Sequence, residues 1–321
     1  MGANEGMPGR TVAWLEVSRL ASGMLLRVPV WTVRGTGAGP ALGVTAAIHG
    51  DEIVGIEVVR RLLDRLERTP FRGTVRAVPV ANPLAMEALT RGTPLAVEVA
   101  NLNRVFPGDP QGDLVARLAH RLVEGFLDTV DHLVDLHAGG THPVVDYTIS
   151  LRGLEAALAF GQRVVRPVDG YQGTLAAVAA AQGKTALVAE LGGGYWRDEA
   201  YVELGVRGVL NVMRHLGMLD GRPERPPEQW VVPTVVALRP GHGGLLHSAV
   251  TLDQLGAVLP EGHALGTVVS PYTFETLETL RAPFQRSVLL LLRVGITRVN
   301  PGDYAFMLGD LERAEVIRHD G

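Results

Sequence analysis

The sequence contains no cysteine, and this absence removes several kinds of chemistry at once. There can be no disulfides, no thiolate metal ligands and no cysteine nucleophile. Any zinc site in this chain must therefore be built from histidine and carboxylate side chains.

Long hydrophobic runs and an excess of one charge are also missing. The longest dense apolar run near the C-terminus, Val288–Leu292, is stopped by Arg293, whereas a spanning helix needs roughly 20 apolar residues. The net charge is −4, from 30 basic and 34 acidic side chains. This balance favours neither nucleic acid nor an anionic membrane as a partner. Since Met1–Arg10 lacks the pattern of a signal peptide, we expect a soluble, cytoplasmic protein of undetermined oligomeric state.

Strand-like and helix-like segments alternate along the chain up to about residue 220. The predicted strands are Gly43–Ile48, Thr74–Val80, His132–Leu136, Val144–Ser150 and Thr185–Ala189. The predicted helices are Ile53–Glu67, Leu114–Leu127, Leu154–Gln162, Thr174–Gln182 and Glu199–Leu216. This alternation predicts an α/β fold with a mostly parallel sheet flanked by helices on both faces.

The composition changes after a cluster of proline, glycine and charged residues at Asp220–Glu228, which is typical of a linker. Short β-type runs separated by turns follow it, at Val231–Leu238, Gly244–Val250, Ala264–Val269 and Ser287–Val294. We therefore predict a catalytic α/β domain over residues 1–220 and a small β-rich domain over residues 221–321, near the active-site mouth.

Two short motifs lie where predicted strands end, His49-Gly50-Asp51-Glu52 and Asp135-Leu136-His137. Ligands of open α/β sheets bind beyond the carboxyl ends of the strands, so both motifs should face one crevice. Two imidazoles and a carboxylate form the ligand set of a catalytic zinc with one open position. We therefore predict zinc ligation by His49, Glu52 and His137, for attack of an activated water on a carbonyl. The alternative is that Glu52 only complements the dipole of the helix that it opens.

Four further side chains are candidates for contact with a substrate. Asn103 and Arg104, in the loop Asn101–Gly108, suggest an anion clamp, because arginine offers a planar fork to a carboxylate. Arg91 lies in an upstream loop and could supply a second cation. His142 follows the second motif on a loop, where site residues tend to gather.

Glu190 is the candidate general base. It follows the predicted strand Thr185–Ala189 and precedes a glycine run, so it can face a cleft and transfer protons. On position alone, a solvated carboxylate at a turn is the other interpretation.

The order of these motifs (HGDE, NP, NLNRVFPG, DLH and AELGG) resembles the succinylglutamate desuccinylase/aspartoacylase family. The resemblance implies a zinc-carboxypeptidase-like fold. It also implies that the predicted ligand set holds one zinc ion per chain, that Asn103 and Arg104 hold a substrate carboxylate, and that Glu190 is the general base. One position departs from the family pattern, because Asn101 stands where an aspartate is usual.

We therefore expect a zinc-dependent hydrolase that cleaves the amide bond of an N-acyl amino acid or a similar small carboxylate. One alternative is a metallocarboxypeptidase that removes a C-terminal residue, since it would use the same catalytic groups. The other is a non-catalytic binding module on the same scaffold, which Glu190 beside a complete ligand set argues against.

Overall fold

The computed structural model describes residues 9–94, 99–193 and 198–319. Most of the segment Met1–Arg10, in which we expect no signal peptide, lies outside these residues, as does Gly194 of the glycine run after Glu190. Among the described residues, no helix is long and apolar enough to cross a membrane.

The first half of the chain supplies strands β1 (Gly9–Arg19), β2 (Leu25–Arg34), β3 (Gly37–Thr45), β4 (Arg72–Val78), β5 (Thr93–Pro94), β6 (Val99–Ala100), β7 (His132–His137) and β8 (Pro143–Arg152). The second half supplies β9 (Val164–Pro167), β10 (Thr185–Gly192), β11 (Glu228–Val231), β12 (Val235–Leu238), β13 (Gly244–Ser248), β14 (Val258–Pro260), β15 (Ala264–Val269), β16 (Thr276–Arg281), β17 (Arg286–Arg293), β18 (Ile296–Val299), β19 (Phe306–Asp310) and β20 (Glu315–Arg318). The helices are α1 (Val54–Leu66), α2 (Pro83–Glu87), α3 (Leu114–Gly125), α4 (Leu154–Phe160), α5 (Leu175–Ala181) and α6 (Asp198–His215).

Within these residues, fourteen strands form one large mixed sheet, with the main order β1-β2-β4-β3-β7-β10-β8-β17-β19-β12. Its central strands β4, β3, β7 and β10 are parallel, and β8 joins β10 in the antiparallel direction. A second sheet has the order β16-β15-β13-β18. The α/β class, the parallel centre and the β-rich C-terminal region are as predicted.

Helices cover both faces of the large sheet. On one face, α1, α4 and α6 pack into a common core with the inner side chains of β3 and β7. On the other face, α3 and α5 form a separate core. The helix α1 shows why the helices pack on the sheet. Its apolar residues recur at helical spacing, and seven of its residues are buried against the sheet and α6. The five predicted helices end within two residues of the observed ones.

Most predicted strands differ from the observed ones by one or two residues at an end, and three differ by more. β3 ends at Thr45 rather than Ile48, because the chain turns through a positive φ of 50° at Ala47. β10 continues to Gly192, so Glu190 lies within a strand and not after it. The predicted run Val231–Leu238 is two strands, since Pro233 between them has no amide hydrogen for a strand ladder.

The large sheet crosses the predicted boundary near residue 220. β17, from the C-terminal region, pairs directly with β8 through Leu291 opposite Val145, and β19 and β12 extend the sheet further. The N-terminal hairpin β1–β2 and the strand β9 were not predicted at all. The division into two domains at residue 220 stays a prediction.

Candidate active site

The predicted metal ligands meet at the carboxyl edge of two neighbouring parallel strands. β3 and β7 pair in register with Thr45 opposite Asp135, and His137 is the last residue of β7. The chain beyond β3 carries His49 to the same edge. Gly50 makes this turn possible, since a Cβ there would lie 2.0 Å from the backbone of Ala85.

The three side chains converge on one point and are almost fully buried. The Nδ1 atoms of His49 and His137 lie 2.8 Å from Oε1 and Oε2 of Glu52, respectively. The two Nδ1 atoms are 3.2 Å apart. One ligand atom from each residue lies within 4.8 Å of the others, as a single metal ion requires.

The outer nitrogens of both rings face oxygen acceptors. Nε2 of His137 is 3.0 Å from Oδ2 of Asp135, and Oδ1 of Asp135 accepts a 2.6 Å hydrogen bond from Thr45. Nε2 of His49 is 3.2 Å from Oδ1 of Asn101, which also accepts the amide hydrogen of Asn103. These acceptors favour a proton on Nε2 and leave Nδ1 as a metal ligand, the arrangement found around ligating histidines. The donor set therefore fits a zinc ion.

The buried groups of this cluster shift one another's pKa values. Burial raises the pKa of Glu52, but the two imidazoles outweigh it and hold that pKa well below its usual value. Burial lowers the pKa of His137, but Asp135 and Glu52 outweigh it and raise that pKa well above its usual value. Burial also lowers the pKa of His49 and favours its neutral form. The cluster thus carries an ionised Glu52 whose charge is balanced by a protonated His137, and a metal ion bound at this place would displace the His137 proton.

A cavity of about 530 Å³ opens beside the cluster and contains all the other predicted site residues. Those that line it are Arg91, Asn103, Arg104, His142 and Glu190. Sequence reasoning therefore identified side chains from five separate segments that the fold brings to one place.

The loop of the predicted anion clamp is held firmly against α5. Oδ1 of Asn103 accepts a 3.1 Å hydrogen bond from the amide of Leu175, and the carbonyl of Asn103 accepts one from Arg104 at 2.6 Å. Gly173 approaches the clamp so closely that a Cβ there would lie 2.5 Å from the carbonyl oxygen of Arg104. Arg91, in contrast, is half exposed and donates to Oε1 of Glu52 at 2.8 Å.

Glu190 lies beside the metal ligands because of strand pairing. In the sheet it is opposite His137 on β7 and opposite Tyr147 on β8. Burial raises its pKa to about 7, and the nearby carboxylate of Glu52 adds to this rise while His137 opposes it. Its backbone carbonyl accepts a 2.8 Å hydrogen bond from Gln162. A carboxyl with a pKa near neutrality can both accept and release a proton.

Sequence reasoning missed the part of the cavity formed by other strands and by the C-terminal region. The additional lining residues include Tyr147, Tyr171, Arg239, Arg293 and Tyr304. The alternation along β8 was a signal for Tyr147, since it shares a face with Val145. No local motif marks Arg239 or Tyr304, whose position depends on the pairing of β17 with β8.

Comparison with known proteins agrees with this geometry. Residues 38–216, more than half of the chain, match the family model described as the succinylglutamate desuccinylase/aspartoacylase catalytic domain. The matched segment contains every residue of the metal cluster, the clamp and the candidate base.

Individual relatives resemble the chain over nearly its whole length. An N-alpha-acetyl-L-2,4-diaminobutyric acid deacetylase from Halomonas elongata is 29% identical over an alignment of 301 residues, which covers 88% of this chain and 86% of that protein. A structure named as a succinylglutamate desuccinylase/aspartoacylase from Rhodobacter sphaeroides is 26% identical, with a TM-score of 0.81 over 97% of this chain and 98% of that one. A succinylglutamate desuccinylase from Silicibacter sp. TM1040 has 25% identity and a TM-score of 0.82, with 97% of both chains covered.

Proposed function

Because the chain belongs to the succinylglutamate desuccinylase/aspartoacylase family, we propose that it is a zinc-dependent hydrolase that cleaves the amide bond of a small N-acyl amino acid. One observation carries the proposal above all. Two imidazole nitrogens and a carboxylate converge, each ring is held from behind by an oxygen, and a carboxyl with a pKa of about 7 lies on the adjacent strand.

His49, Glu52 and His137 are the residues that hold the ion, one zinc per chain. A bound zinc supplies Lewis acidity, which polarises a carbonyl and makes a water molecule a stronger acid. Asn101 and Asp135 keep the two rings in the orientation and tautomer that ligation needs.

Glu190 moves the proton. As a carboxylate it accepts a proton from the attacking water, and it then donates that proton to the amine nitrogen as the carbon–nitrogen bond breaks. Its raised pKa suits both steps near neutral pH, because neither protonation state is strongly favoured. The hydrogen bond from Gln162 to its backbone carbonyl supports its position on β10.

Arg104 and Asn103 orient the substrate. The guanidinium of Arg104 lines the cavity and offers a fork to a carboxylate, while Asn103 ties the loop to α5. Arg91 and His142 are proposed as further substrate contacts, since both line the same cavity. Holding the carboxylate fixes the amide relative to Glu190 before the reaction begins.

The relatives favour a deacylase over the alternatives. The Halomonas elongata protein is named as a deacetylase of an acetylated diamino acid, so an acetylated amino acid is the first substrate to test. A carboxypeptidase would use the same catalytic groups, but neither the family description nor this relative is a peptidase. We also propose residues 1–220 as the catalytic domain and residues 221–321 as a β-rich domain at its mouth, supported by Arg239 and Tyr304 in the cavity lining.

The test measures the release of free amine from two sets of compounds, with and without a chelator. One set contains N-acyl amino acids, which test the deacylase, and the other contains dipeptides, which test the carboxypeptidase. We expect acyl amino acids to be hydrolysed, the chelator to stop the reaction, and added zinc to restore it. Hydrolysis of the dipeptides alone would replace the deacylase with a peptidase. No hydrolysis by the zinc-loaded protein would favour the binding module.

A further inference from the structure

The strand register places an extended apolar surface next to the reacting groups. His137, Glu190 and Tyr147 lie side by side on β7, β10 and β8. A second row begins at Val145, two residues before Tyr147 on β8. In this row Val145 lies beside Leu291 on β17, and Leu291 lies beside Met307 on β19. Residues paired in a sheet point to the same face, so both rows face the same cavity.

Six apolar side chains on this face line the cavity, and we call them the apolar wall: Val145, Ile149, Leu151, Val188, Leu291 and Met307. Ile149, Val188, Leu291 and Met307 keep between 7% and 8% of their surface exposed, whereas Leu308, which belongs to a different core cluster, keeps none. These side chains therefore pack mainly in the core on this face of the sheet and keep a small apolar surface on the cavity.

The charged groups at the far end of the cavity are already engaged by the protein. Arg293 donates to the carbonyl of Tyr304 at 2.6 Å and to that of Arg298 at 3.3 Å. The guanidinium of Arg239 lies 3.8 Å from the ring centroid of Tyr304 and donates to the carbonyl of Gly302. Both arginines therefore use some of their donors on backbone carbonyls of the C-terminal region.

We propose that the apolar wall binds an apolar group of several carbons on the substrate, next to the scissile amide. The inference rests on the proposed function and narrows its substrate class, from any small N-acyl amino acid to one with an apolar acyl chain or an apolar side chain. The cavity volume is consistent with this, since about 530 Å³ corresponds to roughly 18 water molecules at ~30 Å³ each. An acetyl amino acid with a short polar side chain would leave much of the wall in contact with water.

The gain in binding affinity from covering the wall with an apolar chain can be predicted. Each methylene that leaves water improves binding by about fourfold. The gain should continue until the chain reaches Met307 and then stop, because Ala237, the residue paired with Met307 on β12, does not line the cavity.

Two series of substrates distinguish the sources of the apolar group. One keeps the amino acid and lengthens the acyl group from acetyl to butyryl and hexanoyl. The other keeps acetyl and changes the amino acid from alanine to norvaline, leucine and phenylalanine. We expect kcat/KM to rise about fourfold per methylene in one of the two series. A value that stays flat or falls in both series overturns the proposal.

A binding experiment separates this proposal from the proposed function. Calorimetry measures the Kd of acetate, butyrate and hexanoate, which combine a carboxylate with a growing chain and need no catalysis. A Kd that falls about fourfold per methylene without any hydrolysis of amides supports the wall and rejects the deacylase. Hydrolysis of acetyl substrates with no gain in either rate or affinity keeps the deacylase and rejects the wall.

A pair of variants assigns the effect to the wall. Met307→Gln places an amide in the wall at similar size, and we expect it to remove the gain from the methylenes that reach Met307, so that the dependence on chain length becomes weaker. Val236→Gln is the control, because Val236 lies on the neighbouring strand β12 but is 36% exposed and outside the cavity lining. Val236→Gln should keep the wild-type slope of kcat/KM against chain length. An unchanged slope in Met307→Gln contradicts the assignment, and the wild-type series decides the matter if that variant does not fold.

Discussion

The two ends of the cavity are built in different ways. At the metal end, His49, Glu52 and His137 come from short motifs at the ends of parallel strands, and each polar group has a partner. Beyond the reacting groups, the apolar wall comes from residues within β8, β10, β17 and β19, and none of its side chains is polar. The first arrangement serves chemistry and tolerates little change. The second arrangement serves the fit of the substrate, so changes in it should alter the choice of substrate more than the turnover rate.

The largest effect is expected at the metal end from His137→Ala. The variant loses one ligand and leaves the carboxylates of Glu52 and Asp135 without their shared partner. We expect bound zinc to be lost and turnover to fall to background, measured by metal analysis and amine release. His242→Ala is the control, since His242 is 60% exposed on the surface. Full zinc content in His137→Ala would reject the assigned ligand set.

A smaller but still large effect is expected from Glu190→Gln, which keeps the shape and cannot transfer a proton. Proton transfer of this kind contributes about 10²–10⁴-fold, and we expect a loss of kcat in this range with zinc content and KM nearly unchanged. Near-normal turnover would move the role of base to another carboxylate, with Asp51 the next to test because it also lines the cavity. Loss of zinc would instead make Glu190 a ligand.

An intermediate effect is expected from Asn101→Ala, which removes the oxygen behind His49 and leaves the ligand itself in place. Losses of such supporting contacts typically weaken metal binding by about 10–100-fold. The measurement is a zinc titration against a competing chelator. Asn101→Asp keeps the acceptor and should recover most of the affinity, which an effect on folding alone would not predict. Equal affinity in the wild type and Asn101→Ala would show that the contact is not needed.

The smallest effect concerns stability in the metal-free protein. The pKa of Glu190 is raised to about 7 by burial, so the folded state binds its proton more tightly than the unfolded chain. Below about pH 4 the carboxyl is protonated in both states and does not change the free energy of unfolding. As the pH rises from there to about 7, the unfolded chain ionises first, and the free energy of unfolding falls. We expect Glu190→Gln to raise the Tm over this window and not below it, while the exposed Glu315→Gln shows no such trend. A pH-independent difference would contradict the prediction.

The contrast between the two ends also explains what could be predicted from the sequence. His49 and Glu52 are three residues apart, and His137 ends a clear apolar run, so local spacing was sufficient to predict a shared site. The helices were equally clear, because burial of one face imposes a regular period. The wall depends on which strands become neighbours. Leu291 meets Val145 only after distant segments pair, and no local pattern specifies that partner.

The pairing of β17 with β8 has a consequence for how the chain can be divided. A fragment that stopped near residue 220 would leave the start of β8, from Pro143 to Val145, without its partner β17 next to the reacting groups, and would leave β9 without its partner β11. Open, apolar strand edges recruit other chains and lead to aggregation. Expression of the first segment alone should therefore yield inclusion bodies, and co-expression of the two segments should rescue it by closing the ladder.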